Sequence, residues 1–190
     1  MSSVVIRGLF HLLATVIAPL ASFFLERTLL LICLGALTLI FVTFDLLRCK
    51  CARANQWFCF LFYSLLRDYE KARITGASYI LIASLLAFLA FPRDIAVLAL
   101  FFLAVGDPVA AIARRMATRH RSRVALGAAA CFLSCVIIGV AVYFAGLAVT
   151  VPAALVGALV ATAVETLHLP VNDNLTMPLL AGLAMFLMQL

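Results

Sequence analysis

Carboxylate and carboxamide side chains interrupt the most apolar parts of this 190-residue chain at two points. One is Asp107 in the stretch AVGDPVAA, and the other is the triplet Asn172-Asp173-Asn174 in HLPVNDNLTMPLL. In proteins Mg²⁺ is commonly held by one or two carboxylates together with substrate phosphates. Arginine pairs with phosphate oxygens, and a basic cluster lies between the two points at positions 114–123. These residue types therefore predict a site for a divalent cation and a polyphosphate.

Asp107 stands inside an apolar segment, directly before a proline. A charged group at membrane depth is costly and usually has a partner or a function. Pro108 lacks a backbone N–H and interrupts the hydrogen-bond ladder of a helix, so the irregular backbone must face protein or water. Gly106 allows another group to approach closely. We therefore interpret Asp107 as a functional carboxylate.

Structural interpretations stay open for the other polar residues. Asp45 and Glu165 lie near the ends of apolar segments, where a long polar side chain can reach water or pair with an arginine. Within the triplet, Asp173 or Asn174 can cap a helix that begins there. The same helix start offers free backbone N–H groups and favours anions. The triplet taken alone fits a cap and a binding site equally well.

The composition places these residues in a bilayer. Hydrophobic residues make up 67% of the chain and charged residues 12%, whereas soluble domains have about half and about a quarter. Because a spanning helix needs about 20 mostly apolar residues, we predict one all-α domain over residues 1–190, a polytopic membrane helix bundle with an interfacial helix at about 56–67. The seven predicted transmembrane helices are approximately Gly8 to Leu25, Thr28 to Leu47, Thr75 to Phe91, Ile95 to Ala113, Val124 to Leu147, Pro152 to His168 and Leu175 to Leu190.

Basic residues set the predicted orientation, because loops rich in Lys and Arg stay cytoplasmic. With seven spans, 12 of the 14 basic residues fall on the side of the N-terminus, and Arg27 and Arg93 fall on the other. We therefore expect an integral membrane protein with a cytoplasmic N-terminus and its site at the cytoplasmic face. The net charge of +6 then serves anionic lipid headgroups, and we expect no nucleic acid as a partner.

Four carboxylates share one depth in this arrangement, near the cytoplasmic surface: Asp45, Asp107, Glu165 and Asp173. The basic cluster at positions 114–123 lies at the same level. If the shared depth reflects one site, the carboxyl groups of Asp107, Glu165 and Asp173 should line a common pocket. Asn172 and Arg123 should line it with them.

Seven short stretches form an ordered set of motifs through most of the chain. They are RGLFHLL with Arg7 and His11, FDLLR, RDYEKARITGASY, FP, GDPVAA, ATAVETL and NDNLTMPLLAG. Together they resemble the CTP-dependent polyprenol and lipid kinases, the family that includes dolichol kinase, phytol kinase and the fungal-type diacylglycerol kinase. The most specific part of the resemblance is GDPVAA followed by an intramembrane glutamate and NDNLTMPL.

Two departures from the family pattern accompany the resemblance. Family members place a lysine after the N-terminal arginine, where this chain has Gly8. They also carry a Gly-Lys-(Lys)-x-x-Glu-Gly-Ser type segment after the GD helix, and here that region reads RHRSRVALGAAACFLSC. An alignment on Gly127 puts Arg123 at the lysine. The same alignment puts Leu126 at the glutamate and Ala128 at the serine, so the carboxylate and the hydroxyl are lost.

The resemblance implies transfer of the γ-phosphoryl group of CTP, with Mg²⁺ or another divalent cation, to the hydroxyl of a membrane lipid at the cytoplasmic face. The lipid would be a polyprenol such as dolichol, a diacylglycerol or phytol. The implied catalytic carboxylates are Asp107, Asp173 and Glu165, of which Asp107 and Asp173 would hold the metal ion. The implied nucleotide or phosphate contacts are Arg7, Gly106, Arg123, Asn172 and Asn174.

Two other functions stay open. A phosphatidate cytidylyltransferase would use the same nucleotide, but its lipid phosphate would attack the α-phosphorus and give a CDP-lipid and pyrophosphate. A non-catalytic membrane protein, a pseudokinase that binds lipid or acts as a scaffold, would account for Leu126 and Ala128. The retained GD and NDN motifs favour an enzyme over this third function.

Overall fold

The chain folds into a bundle of α-helices, with no β-strand in the part that the structure describes. A computed structural model describes residues 2–62, 66, 70–71, 73–117, 120–167 and 170–190, apart from the side chains of residues 2–7, 120 and 121. The prediction of an all-α fold is confirmed. The helices are α1 (Ser2–Ala21), α2 (Arg27–Lys50), α3 (Ala52–Leu61), α4 (Gly76–Ala90), α5 (Arg93–Phe101), α6 (Asp107–Met116), α7 (His120–Phe144), α8 (Val151–Leu167) and α9 (Asp173–Leu187).

Three helical segments are long and apolar enough to cross a membrane: Arg27–Lys50, Arg93–Met116 and Ser122–Phe144. Shorter apolar helices lie at Gly8–Ala21, Gly76–Ala90, Val151–Leu167 and Asp173–Leu187. Large apolar side chains cover the outside of the bundle, as Leu39 and Ile137 show with 70% and 67% of their surface exposed. An outer surface of this kind is stable in lipid rather than in water. The apolar helices thus indicate a membrane protein.

The short helix α3 differs from its predicted bounds. We placed an interfacial helix at about 56–67, and the helix runs over Ala52–Leu61, beginning directly after an extended residue at Cys51. The reason is local, because Ala52, Arg53 and Gln56 are good helix formers that let the helix begin before the aromatic stretch. Residues 63–65 and 67 of the predicted segment lie outside the described residues.

Helix α5 forms the centre of the bundle. The side chains of residues 95–100 are all buried, with at most 3% of their surface exposed, and the helix packs against α1, α4, α7 and α9. A helix that is apolar on every side is stable only when other helices surround it. The six residues IAVLAL therefore act as the axis around which the outer helices are arranged.

A wide turn of π-helix joins α5 to α6 over Phe102–Gly106, so that residues 93–116 form one continuous but irregular helix. Pro108 is the cause, because it offers no N–H to the carbonyl of Ala104 and its ring needs space at that turn. Turns of π-helix inside α-helices occur frequently at functional sites. The irregular backbone that we predicted around Asp107 is present.

Small residues allow α7, α8 and α9 to pack closely. A Cβ atom added at Gly139 would lie 3.2 Å from the Cβ of Ala154, and one at Gly157 would lie 2.5 Å from the Cγ of Met185. Small residues at such contacts let helix backbones approach each other, which is how helices associate without a hydrophobic driving force in lipid. The close packing holds the N-terminus of α9, and with it the Asn-Asp-Asn triplet, at one end of the bundle.

Candidate functional site

A groove of about 600 Å³ lies at one end of the bundle, between α1, α2, α3, α4 and α6. Its walls are mainly apolar, and they include Phe10, Ile40, Phe41, Phe44, Phe58 and Ile112. Ile40 and Ile112 are 61% and 48% exposed, so the groove opens on the outer, lipid-compatible surface of the bundle. Its volume is within the usual range for small-molecule sites. The shape and lining fit the hydrocarbon part of a lipid.

Three polar side chains meet in this apolar groove: His11 of α1, Asp107 at the start of α6, and Asn174 of α9. The Nε2 atom of His11 lies 2.9 Å from Oδ1 of Asn174 and 3.8 Å from Oδ2 of Asp107. The side chains of His11 and Asp107 are 12% and 13% exposed. A compact polar cluster inside an apolar groove is the usual arrangement by which a ligand's polar group is oriented.

The position of Asn174 is fixed from two sides. Its Nδ2 atom donates to the carbonyl of Gly76 at 3.3 Å, so its Oδ1 atom faces His11. Because a carboxamide oxygen only accepts, Nε2 of a neutral His11 must carry the proton. The other ring nitrogen, Nδ1, is buried and has no hydrogen-bond partner among the described residues. Asn174 thus selects one tautomer of His11.

Gly76 leaves no room for a side chain beside this cluster. An added Cβ atom would lie 2.9 Å from Nδ2 of Asn174 and 3.0 Å from Oε1 of Glu70. The N–H of Gly76 donates to the same Oε1 atom at 2.7 Å. The start of α4 is therefore connected to α9 through the carbonyl of Gly76 and to Glu70 through its N–H.

The Asp107 carboxylate has one polar contact among the described residues, with His11. Its interaction with Nε2 of His11 is too long for a hydrogen bond, and it makes no hydrogen bond within the described part of the chain. A mostly buried carboxylate without hydrogen bonds is costly. Asp107 is consequently available to accept a hydrogen bond from a ligand or to hold a cation.

Asp45 and Arg48 form a buried structural pair beside the groove. Nε of Arg48 donates to Oδ1 of Asp45 at 2.7 Å, and its other nitrogens donate to Asn55 Oδ1 and to the carbonyls of Glu70 and Arg73. Oδ2 of Asp45 accepts from the N–H and hydroxyl of Thr75. All of these contacts are internal, so the pair ties α2 to the residues that precede α4.

Glu165 and Arg114 form a second pair, which joins α8 to α6. Glu165 is 2% exposed. Gly127 of α7 makes room for the arginine, since an added Cβ atom would lie 2.7 Å from the Cγ of Arg114. Glu165 thus pairs with an arginine, as its structural interpretation from the sequence expects. It does not line the groove.

The Asn-Asp-Asn triplet divides its roles. Asn172 is the cap of α9, because its side chain accepts from the N–H of Asn174 at 3.0 Å. The cap is therefore neither Asp173 nor Asn174, the two residues that the sequence offers for that role. Asp173 is half-buried in the first turn of α9, and it is not part of the groove lining. Asn174 alone reaches the groove.

Three further predicted phosphate contacts are not among the groove residues. Two of them lie outside the groove lining, and the side chain of the third is not described. Arg123 is exposed on α7, and its Nε atom donates to the carbonyl of Ala117 at 3.0 Å. Gly106 is buried, and an added Cβ atom would lie 3.0 Å from both Cys135 and Met177, so the groups that approach it closely are side chains. The side chain of Arg7 lies outside the described residues.

Arg115 is a groove residue that the sequence interpretation missed. It is exposed and makes no hydrogen bond or ion pair within the described part of the chain. Its neighbour Arg114 points to Glu165, about 100° around the helix. Two adjacent arginines are thus divided between a structural contact and the groove.

The carboxylates that the structure describes do not form a preformed metal cage. Among the described residues, no group of three or more His, Cys, Asp or Glu side chains is placed to hold a metal ion. Mg²⁺ does not require such a cage, because it keeps several water molecules and shares substrate phosphates with one or two carboxylates. The open carboxylate of Asp107 fits that mode of binding.

Comparison with known proteins adds one relative. The chain is 25% identical to an uncharacterized protein of Rickettsia prowazekii (strain Madrid E) over 181 residues, which cover 91% of this chain and 88% of the relative. No protein-family profile matches the chain, and no solved structure matches it.

Proposed function

We propose that this protein phosphorylates a membrane lipid alcohol with CTP as the phosphoryl donor. One observation carries the proposal: Asp107 presents an open carboxylate in an apolar groove that opens on the lipid-compatible surface. The ordered motifs that resemble the CTP-dependent lipid kinases support the choice of reaction. The lipid would be a polyprenol, a diacylglycerol or phytol.

In this proposal the chain spans the membrane seven times, with its N-terminus and the groove at the cytoplasmic face. The charge distribution supports this orientation, because 12 of the 14 basic residues fall on that side. Helices of 15 residues such as α4 and α9 extend about 22 Å. The loops and polar helix ends would complete the crossing of these short helices.

The lipid would enter the groove sideways from the inner leaflet. Its chain would lie against the apolar walls formed by Phe41, Phe44 and Ile112, and its hydroxyl would reach Asp107. The hydroxyl would donate a hydrogen bond to the carboxylate, which lacks one from the described residues. His11 and Asn174 would hold the surrounding polar surface in place through their 2.9 Å contact.

Asp107 acts as the base in the chemical step. Its carboxylate takes the proton of the lipid hydroxyl while the oxygen forms a bond to the γ-phosphorus of CTP. The bond between that phosphorus and the β–γ bridging oxygen breaks, which releases CDP. Mg²⁺ bound to the nucleotide would supply positive charge that offsets the phosphate oxygens. Asp107 would hold it from within the groove, and Asp173, the second ligand that the resemblance implies, would hold it from outside the groove lining.

Positive charge from the protein would orient the nucleotide. Arg115 lies on the rim of the groove with no partner in the described part of the chain. Arg123 and Arg7 remain proposed phosphate contacts on the basis of the resemblance. Phosphoryl transfer depends mainly on positioning and electrostatic stabilisation, so the loss of the family's glutamate and serine at Leu126 and Ala128 would lower the rate more than change the reaction.

A non-catalytic lipid-binding protein is the second candidate, and one observation favours it. Gly127 packs against the side chain of Arg114, while Leu126 is 43% exposed. The segment that supplies phosphate contacts in the resembling family is thus used here for helix packing. In this function the groove would hold the lipid without transferring a phosphate.

The first experiment separates the two candidates. Purified protein in micelles would be incubated with γ-labelled CTP, Mg²⁺ and a panel of polyprenol, diacylglycerol and phytol, and the lipids would be separated by chromatography. We expect one labelled lipid phosphate together with CDP. Label in no lipid, although one of the alcohols binds to the protein, would support the non-catalytic function, and a CDP-lipid with pyrophosphate would support a cytidylyltransferase.

A further inference from the structure

Asp107 and Arg115 lie along the same wall of the groove, on α6. Arg115 follows Asp107 by eight positions, which corresponds to about 12 Å along a helix. Ala111 lies between them, one helical turn from each, and also lines the groove. The wall therefore carries a carboxylate in its mostly buried part and a guanidinium on its exposed rim.

The two charged groups differ in what surrounds them. Asp107 is 13% exposed and shares its surroundings with His11 and Asn174, neither of which carries a permanent positive charge. Arg115 is exposed and makes no hydrogen bond or ion pair within the described residues. A lipid head group at the first position meets a negative charge, and one at the second meets a positive charge.

We propose that α6 sorts lipids by the charge of their head group, with an uncharged alcohol bound at Asp107 and a lipid phosphate monoester bound at Arg115. The proposal rests on the lipid-binding groove of the proposed function, and it adds a second head-group position that accepts the phosphorylated lipid. A phosphate monoester carries about 1.5 to 2 negative charges at neutral pH, so it is repelled by Asp107. Arginine binds such a group with paired hydrogen bonds.

The charge sorting has a consequence for product release. Once Asp107 has released the proton that it took from the alcohol, the carboxylate and the new phosphate are two anionic groups side by side at the inner position. The product then gains by moving about two helical turns outward to Arg115, while its chain stays in the apolar part of the groove. The substrate and the product consequently compete for the chain site but have different head-group positions.

Lipid binding without nucleotide tests the inference. Detergent-purified full-length protein would be titrated with dioctanoylglycerol or dioctanoylphosphatidate, and retained lipid would be counted by native mass spectrometry. Asp107→Asn should weaken retention of dioctanoylglycerol about tenfold and strengthen retention of dioctanoylphosphatidate, because the repulsion is removed. Arg115→Gln should weaken retention of dioctanoylphosphatidate about tenfold more than that of dioctanoylglycerol.

Matched variants elsewhere on the chain control for charge and folding. Glu26→Gln removes one carboxylate from an exposed residue at the start of α2, and Arg53→Gln removes one guanidinium from the exposed side of α3. Neither should alter the preference between the two lipids. The inference is overturned if Asp107→Asn and Arg115→Gln change the retention of both lipids by the same factor.

The outcome does not depend on catalysis. The two substitutions could have opposite effects on lipid binding in a protein that transfers no phosphate. That result would support the two head-group positions and contradict only the kinase function. If the protein transfers phosphate but the two substitutions change the retention of both lipids equally, the kinase function is supported and the charge sorting is contradicted.

Discussion

Oδ1 of Asn174 lies 2.9 Å from Nε2 of His11, although 163 residues separate them in the chain. The contact joins the last helix to the first at the polar part of the groove. Because Asn174 also donates to the carbonyl of Gly76, three helices meet at one side chain. This junction places Asp107 beside a fixed imidazole instead of a mobile one.

Replacing Asn174 by leucine should therefore destabilise the bundle and impair the groove. The substitution leaves the Nε2–H of His11 without its acceptor, and a buried unpaired polar group costs roughly 1–3 kcal/mol. Thermal unfolding in micelles should show a lower midpoint. Asn174→Asp, which keeps an acceptor for His11, should lose less, and equal losses in the two variants would contradict the importance of the His11 contact.

Gly76→Ala should reduce lipid phosphorylation by on the order of tenfold to a hundredfold, because small displacements of catalytic groups have effects of that size. Its Cβ atom would lie 2.9 Å from Asn174 and 3.0 Å from Glu70, so one of them must move. Gly35→Ala is the matched control, since an added Cβ atom there meets nothing within 4 Å. That variant should keep its activity and gain about 0.5–1 kcal/mol of stability. Equal activity in the two variants would contradict the claim that the close packing at Gly76 positions the groove residues.

Arg48→Lys should destabilise the protein by about 3 kcal/mol or more, as expected when a buried charged network is broken. Lysine carries a single ammonium group and cannot reproduce the planar set of donors that reaches Asp45, Asn55 and two carbonyls. Arg53→Lys, on the exposed side of α3, serves as the control. Chemical unfolding of both variants measures the difference, and similar unfolding midpoints would show that the network contributes little.

Ala111→Trp should block the groove without unfolding the protein. Ala111 lies on the wall between Asp107 and Arg115, and an indole ring there takes the space of the lipid chain. Retention of a radiolabelled lipid alcohol by the micellar protein should fall to background. Ala129→Trp, on the exposed surface of α7, should retain the lipid as the wild type does. Undiminished retention by Ala111→Trp would place the lipid elsewhere.

The positions of the helices were predictable from the sequence, because apolar runs bounded by charges or Pro and Gly correspond to helices in a bundle. Each of the seven predicted stretches contains a helix. The irregular turn before Asp107 followed from Pro108, whose missing donor acts locally. Structural features that depend on one short stretch of sequence could thus be predicted.

The partners of the polar residues were not predictable in the same way. A single histidine on an apolar helix gives no pattern, so the role of His11 appears only when Asn174 is placed beside it. Arg114 and Arg115 are adjacent and chemically identical, and only the packing of α6 decides that one meets Glu165 and the other the groove. The common pocket expected for Asp107, Glu165 and Asp173 depended on such packing, and of these three residues only Asp107 lines the groove.

The most direct test of the central claim is CTP-dependent lipid phosphorylation by Asp107→Asn, measured with thermal stability on the same sample. Asparagine keeps the size of the side chain but loses the negative charge that accepts a proton and holds a cation. Glu26→Gln, on an exposed residue, is the control for loss of one carboxylate. We predict that Asp107→Asn abolishes transfer while its unfolding midpoint stays at or above that of the wild type, since a mostly buried carboxylate without a hydrogen bond is removed. Transfer at the wild-type rate by Asp107→Asn would contradict the account.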